Sequence, residues 1–192
     1  MQNFTLSPSS PVYVGGSRSL VSTSTAWGAV QDLVQEVIGS TPSPVHVGCS
    51  TGADQAAIYA MGKHQSVVFS ITSCSGAGGW SGTANAAVQE HYKKGRAVHF
   101  LAGGALSVPL KVRLIKRSLA GLKGAGVAIF FAPGAGSLSV ARHALKQNIP
   151  VLIWADPQEG HYQKIQGGNF TKKVTFCSLP FWLYEPKQKP LL

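Results

Sequence analysis

The chain has 192 residues and 44% hydrophobic content, enough for one domain with a substantial core and too apolar for a disordered, charge-driven chain. Charged residues are only 12% of it but lopsided, 17 Lys and Arg against 7 Asp and Glu, and the formal net of +10 points to phosphate-bearing partners or a membrane surface. Its 22 Gly and 11 Pro follow no three-residue period, which excludes collagen, and Cys49, Cys74 and Cys177 form no CxxC and leave an odd thiol, which argues for a reducing, cytoplasmic setting.

The first residues, MQNFTLSPSSPV, contain neither a basic nor an apolar signal segment and read as an arm over residues 1–10. No apolar run approaches the ~18 residues of a bilayer span, so no membrane partner is expected. From there short apolar runs alternate with longer helix-like segments. Strands are predicted at Pro11–Gly15, Val45–Gly48, Ser66–Thr72, Ala97–Leu101, Val127–Ala132 and Pro150–Ala155. Most are continuously apolar, as strands buried on both faces of a parallel sheet are. Helices are predicted at Ser24–Ile38, Gly52–Lys63, Thr83–Lys94, Pro109–Lys123 and Ser137–Gln147. In the first, Trp27, Val30, Leu33, Val34, Val37 and Ile38 follow helical spacing behind a cap-type Ser/Thr cluster. The alternation implies an α/β fold, a Rossmann-like, doubly wound, mostly parallel sheet with helices on both faces, over residues 11–155. Residues 156–192 break the pattern. Lys172–Ser178 and Phe181–Tyr184 read as a β extension packed on the same domain, and the apolar cluster from Phe176 to Tyr184 implies packing there or on a second copy.

Glycine clusters follow five of the strands: Gly15-Gly16-Ser17-Arg18, Gly48-Cys49-Ser50-Thr51-Gly52, the loop Ser75–Gly82 with Trp80, Ala102-Gly103-Gly104, and Pro133-Gly134-Ala135-Gly136-Ser137. In a parallel sheet they share the edge at the strand carboxyl ends, where open α/β folds bind ligands. Glycine lets backbone N–H groups approach an anion, and a helix N-terminus adds partial positive charge. None is a P-loop and none is a GxGxxG fingerprint. Trp80 could stack on a base or pack on its own domain.

The charge is concentrated. Residues 111–146 hold seven basic side chains (Lys111, Arg113, Lys116, Arg117, Lys123, Arg142 and Lys146) and no acid. On a helical wheel for Pro109–Lys123, Val108, Val112, Ile115, Leu119 and Leu122 form an apolar stripe, and Arg113, Lys116, Arg117 and Lys123 form the adjoining face. That face reads either as a solvated surface or as a track for phosphates, extended by Lys111 and Arg142. The six histidines lack HxxxH or HExxH spacing, so no metal site is expected. No serine lies in a GxSxG context, so no catalytic residue is assigned.

The segments VYVGGSRSL (Val12–Leu20), GCSTGADQAAIYA (Gly48–Ala60) and Ser118–Trp154 resemble the DprA/Smf and SLOG superfamily of Rossmann-like domains. Gly136–Leu145 is similar to the GSL-x-x-AR-x-AL segment of DprA-type proteins, and Ala120-Gly121-Leu122 to their AGL. The resemblance spans roughly residues 11–155. It implies a phosphate pocket formed by Gly15, Gly16, Ser17, Arg18, Gly48, Ser50, Gly52, Asp54, Gly134, Gly136, Ser137 and Leu138, a homodimer, and single-stranded nucleic acid or a small nucleotide as partner. It requires no cofactor beyond a bound nucleotide. Asp54 is either a helix-terminal carboxylate stabilised by the dipole or, by the resemblance, a group near ribose or base. The superfamily also holds LOG phosphoribohydrolases with a PGGxGTxxE motif. Pro133–Val140 carries no acid where that motif has one, which leaves binding without hydrolysis as the expectation and a degenerate hydrolase as the alternative.

Overall fold

The computed structural model describes residues 2–6, 9–40, 43–62, 66–155, 165 and 168–186. The predicted helix end at Lys63 and parts of both terminal stretches lie outside them. The core strands are β2 (Val12–Gly16), β3 (Val45–Val47), β4 (Val67–Phe69), β5 (Val98–His99), β6 (Val127–Phe131) and β7 (Val151–Trp154). Between them run α1 (Thr25–Ser40), α2 (Ala53–Ala60), α3 (Asn85–Lys93), α4 (Leu110–Leu122) and α5 (Ala135–Lys146). β1 (Gln2–Asn3) and the hairpin β8 (Gly168–Phe176) and β9 (Leu179–Pro186) complete a nine-stranded sheet ordered β1-β8-β9-β7-β6-β2-β3-β4-β5.

Strands β2 to β7 pair in parallel. β9 joins β7 antiparallel, with Trp154 opposite Phe181, so the tail is the predicted extension of one edge. Its hairpin turns at Cys177 and Ser178, both at positive φ, and the first tail strand therefore stops at Phe176 rather than Ser178. Phe176, Phe181, Leu183 and Tyr184 are buried. The apolar tail is thus covered by its own domain and offers those four side chains to no second copy. The far edge closes with β1 on β8 and Phe4 edge-on to Phe176 at 5.7 Å.

Side chains alternate along each strand, and the two faces make two cores. Val12, Val14, Val45 and Val47 face α1, α2 and α3, while Tyr13, Ala128, Phe130, Val151 and Ile153 face α4 and α5. Strands β3, β4 and β5 lie to one side of β2, and β6 and β7 to the other. The order therefore reverses between β2 and β6, and the connections that leave their carboxyl ends pass to opposite faces of the sheet, the position where doubly wound folds take ligands.

His91 lies in the α3 layer, 2% exposed, with neither ring nitrogen hydrogen-bonded. Burial pushes its pKa down to about 4 from an ordinary 6.5, with Arg96 and Lys94 adding repulsion. Between those values the unfolded chain binds the extra proton and the folded chain does not, so stability falls as pH drops from 6.5 towards 4. Urea midpoints measured across that window should fall less steeply for His91→Phe than for the wild type.

Candidate functional site

At this reversal lies a cavity of about 390 Å³. One wall is the turn after β2, Gly15 to Ser19, and the other is the start of α5, Gly134 to Ser137. The turn is fixed on both sides: Ser17 N–H donates to Phe131 O at 2.9 Å, and Ala53 N–H donates to Ser17 O at 2.9 Å. Ser137 Oγ donates to Gly16 O at 2.6 Å and ties α5 to the same turn. Nothing lies within 4 Å of where a Cβ would stand on Gly134 or Gly136, and neither has positive φ. These two glycines answer to no packing or backbone demand; they leave bare main chain facing open space. The first N–H groups of α5 have no partner inside the helix, and no side chain caps it. Arg18 stands exposed at the rim, with no ion-pair partner among the described residues.

The floor is polar and buried. Asp54, in the first turn of α2, accepts two hydrogen bonds on Oδ2: Ser50 N–H at 3.0 Å and Arg117 Nη1 at 2.9 Å. Arg117 Nη2 also donates to Ser50 Oγ at 3.3 Å. Both of these contacts fall on one oxygen of a carboxylate that lines the cavity. Burial works to discharge Arg117, but Cys49, Asp54 and Tyr13 around it act the other way and hold its pKa above the ordinary range. Burial likewise pushes the Tyr13 phenol up to about 12, with Arg117 pulling against it.

Two glycines make room for this floor. A Cβ on Gly48 would fall 1.2 Å from Arg117 Nη1 and 2.4 Å from Asp54 Oδ2. Gly52, at φ +78°, would bring a Cβ to 2.1 Å from Ser17 O. Neither lines the cavity, nor does Leu138, which packs on the second core. Of the predicted pocket residues, Gly15, Gly16, Ser17, Arg18, Ser50, Asp54, Gly134, Gly136 and Ser137 come together around the cavity.

The basic face of α4 needs correction. Arg113 and Arg117 are buried, while Val112 and Ile115, placed by the wheel on the core stripe, are 39% and 50% exposed. The inward face is Arg113, Arg117, Ser118, Gly121 and Leu122. Arg113 donates from Nε to Val108 O at 3.0 Å, and from Nη1 to Gly78 O at 2.9 Å and Ile71 O at 3.2 Å. Both arginines therefore brace loops and are withdrawn from any phosphate track. Lys111, Lys116, Lys123 and Arg142 remain exposed.

The cavity also uses residues the sequence reading passed over, Tyr13, Leu114, Ser118, Phe130 and Val140, with Ile115 from the predicted apolar stripe. Tyr13 carries one legible signal. It sits two residues before Gly15 on the same strand face, and a Cβ on Gly15 would touch its ring at 3.4 Å. Val140 places an aliphatic side chain in the α5 wall. Among the described residues, no group of three His, Cys, Asp or Glu side chains could hold a metal ion, and no helix is long and apolar enough to cross a membrane.

A doubly wound α/β domain with a glycine-walled cavity at its strand-order reversal is a Rossmann-like fold. Its architecture is that of DprA: the X-ray structure of DNA processing protein A (DprA) from Streptococcus pneumoniae superposes with a TM-score of 0.62 at 21% identity, over 79% of this chain. The chain spans about half of that protein, 52% of its length. No protein-family profile and no curated protein sequence matches the chain.

Removing the carboxylate while leaving Arg117 buried should cost about 3–5 kcal/mol. Urea unfolding of Asp54→Ala should show a loss of that size. Asp54→Ala combined with Arg117→Met should recover part of it, since the second change removes the stranded charge. Equal or greater loss in the double variant would contradict the pairing.

Proposed function

We propose that this protein binds the phosphate of a nucleotide in the cavity between the β2 turn and the start of α5, without cleaving the glycosidic bond. The observation that carries this reading is the bare main chain of Gly134 and Gly136 facing open space at an uncapped helix N-terminus. An anion there meets unpartnered N–H groups, the positive end of α5 and the Arg18 guanidinium. A cavity of about 390 Å³ is within the range of small-ligand sites. Hydrolysis is disfavoured because Val140 offers no proton and Asp54 is already engaged by Arg117 and Ser50.

Gly136→Glu puts bulk and negative charge into the cradle. Calorimetric titration with nucleoside monophosphates should show binding to the wild type and none to this variant, with the unfolding midpoint preserved. Normal binding by the variant would place the site elsewhere. Incubation with the same monophosphates should release no free base above background.

A second reading, single-stranded nucleic acid, rests on the exposed Lys111, Lys116, Lys123 and Arg142 with no acidic residue between 111 and 146. The similar structure is named a DNA processing protein, which agrees with it. Single-strand binding loses about 0.7 in log K per phosphate contact for each unit of log salt. Lys116→Ala with Lys123→Ala should then flatten the slope by about 1.4, and affinity should rise with oligonucleotide length. Length-independent binding, insensitive to salt, leaves the mononucleotide reading alone.

A further inference from the structure

Three neighbour steps separate β6 from β4 along the sheet, through β2 and β3. At about 4.8 Å per step, the loop after β4 emerges some 14 Å from the anion cradle that follows β6. That loop carries Trp80, which lines the same cavity as Gly134 and Gly136. Leu114 and Ile115 of α4 line the same cavity. The cavity therefore combines glycines, serines, Asp54 and two arginines with the aromatic rings of Tyr13, Trp80 and Phe130 and the aliphatic side chains of Leu114, Ile115 and Val140. Phosphate alone has no use for the second group.

Trp80 is also held in place. Its backbone N–H donates to Thr83 Oγ1 at 3.0 Å, and the Thr83 backbone N–H returns a bond to Trp80 O at 2.9 Å. The loop is pinned to the cavity floor by Thr51 N–H donating to Gly82 O at 2.8 Å and by the bridge between Ser50 and Thr83. The indole lies against Gly82, where a Cβ would stand 2.7 to 2.9 Å from its ring atoms, so any side chain there would displace it. Trp80 is half-buried: it packs against the first core and also lines the cavity. Ile115, half exposed in the lining of the same cavity, is apolar surface that a planar apolar group would cover.

We infer that Trp80 is the base platform of this site: the ligand is a nucleoside phosphate whose base stacks on the indole and covers Ile115 while its phosphate occupies the α5 cradle. The inference rests on the phosphate reading above and adds the class of the remaining part of the ligand. Removing an aromatic ring on which a base stacks lowers affinity by about tenfold or more.

The test uses AMP and ribose 5-phosphate as probes, on wild type, Trp80→Phe and Trp80→Ala. AMP should bind the wild type at least about tenfold more tightly than ribose 5-phosphate. That ratio should collapse towards one in Trp80→Ala and be largely kept in Trp80→Phe. A wild-type measurement stands apart from any folding defect: AMP should quench tryptophan emission, ribose 5-phosphate should not, and the AMP response should vanish in Trp80→Phe, where Trp27, Trp154 and Trp182 remain. Equal affinities for the two probes, with no AMP-specific quenching, would overturn the role of Trp80 and leave the phosphate cradle standing. Binding of neither probe would overturn both.

Discussion

The ion pair between Arg117 and Asp54 joins the two helix layers of this protein. α4 packs on one face of the sheet and α2 on the other, so the two side chains meet at the carboxyl edge of β3, over Gly48. A buried guanidinium is tolerable only when its charge is answered, and here the Asp54 carboxylate answers the charge and accepts from Nη1, the Ser50 hydroxyl accepts from Nη2, and Nε alone has no hydrogen-bond partner among the described residues. The same carboxylate holds Ser50 N–H and so sets the turn that starts α2. Gly48 follows from this: no other residue leaves room for the guanidinium. The position of Tyr13, buried beside the pair, follows as well.

Around that anchor the walls of the cavity divide their tasks. The β2 turn is rigid because β6, α2 and α5 each hydrogen-bond to it. The start of α5 is bare because its glycines meet nothing. The loop after β4 is tied to the floor through Thr51, Gly82 and Thr83, and to α4 through Arg113. Both arginines of the inward α4 face therefore hold cavity-forming loops. Arginine suits this role better than lysine, since its planar fork can serve several fixed oxygens at once while staying charged.

Withdrawing these two arginines changes how the basic segment reads. What remains outside is a set of lysines on α4 and just past it, with Arg142 on α5, interleaved with exposed Val112 and Ile115. This surface is less densely charged than the sequence count implies. The larger share of the recognisable chemistry sits in the enclosed cavity.

The sequence by itself determined the layers. Continuous apolar runs can be satisfied only by strands covered on both faces, and the segments between them have helical period, so the doubly wound sheet and its glycine-rich edge were legible, with element ends shifted by a few residues. So was most of the glycine and serine lining, because main chain that approaches a ligand closely leaves its mark as glycine at strand ends. Only the tertiary structure decided which way α4 faces. Periodicity separates two faces of a helix but cannot rank them when the polar one carries arginines. The partners that make burial possible for Arg117 lie 63 and 67 residues away, and those for Arg113 include carbonyls 35 and 42 residues away. A guanidinium facing a carboxylate and backbone oxygens belongs inside; the same group facing water belongs outside, and that choice is written in the packing of distant loops rather than in the helix itself.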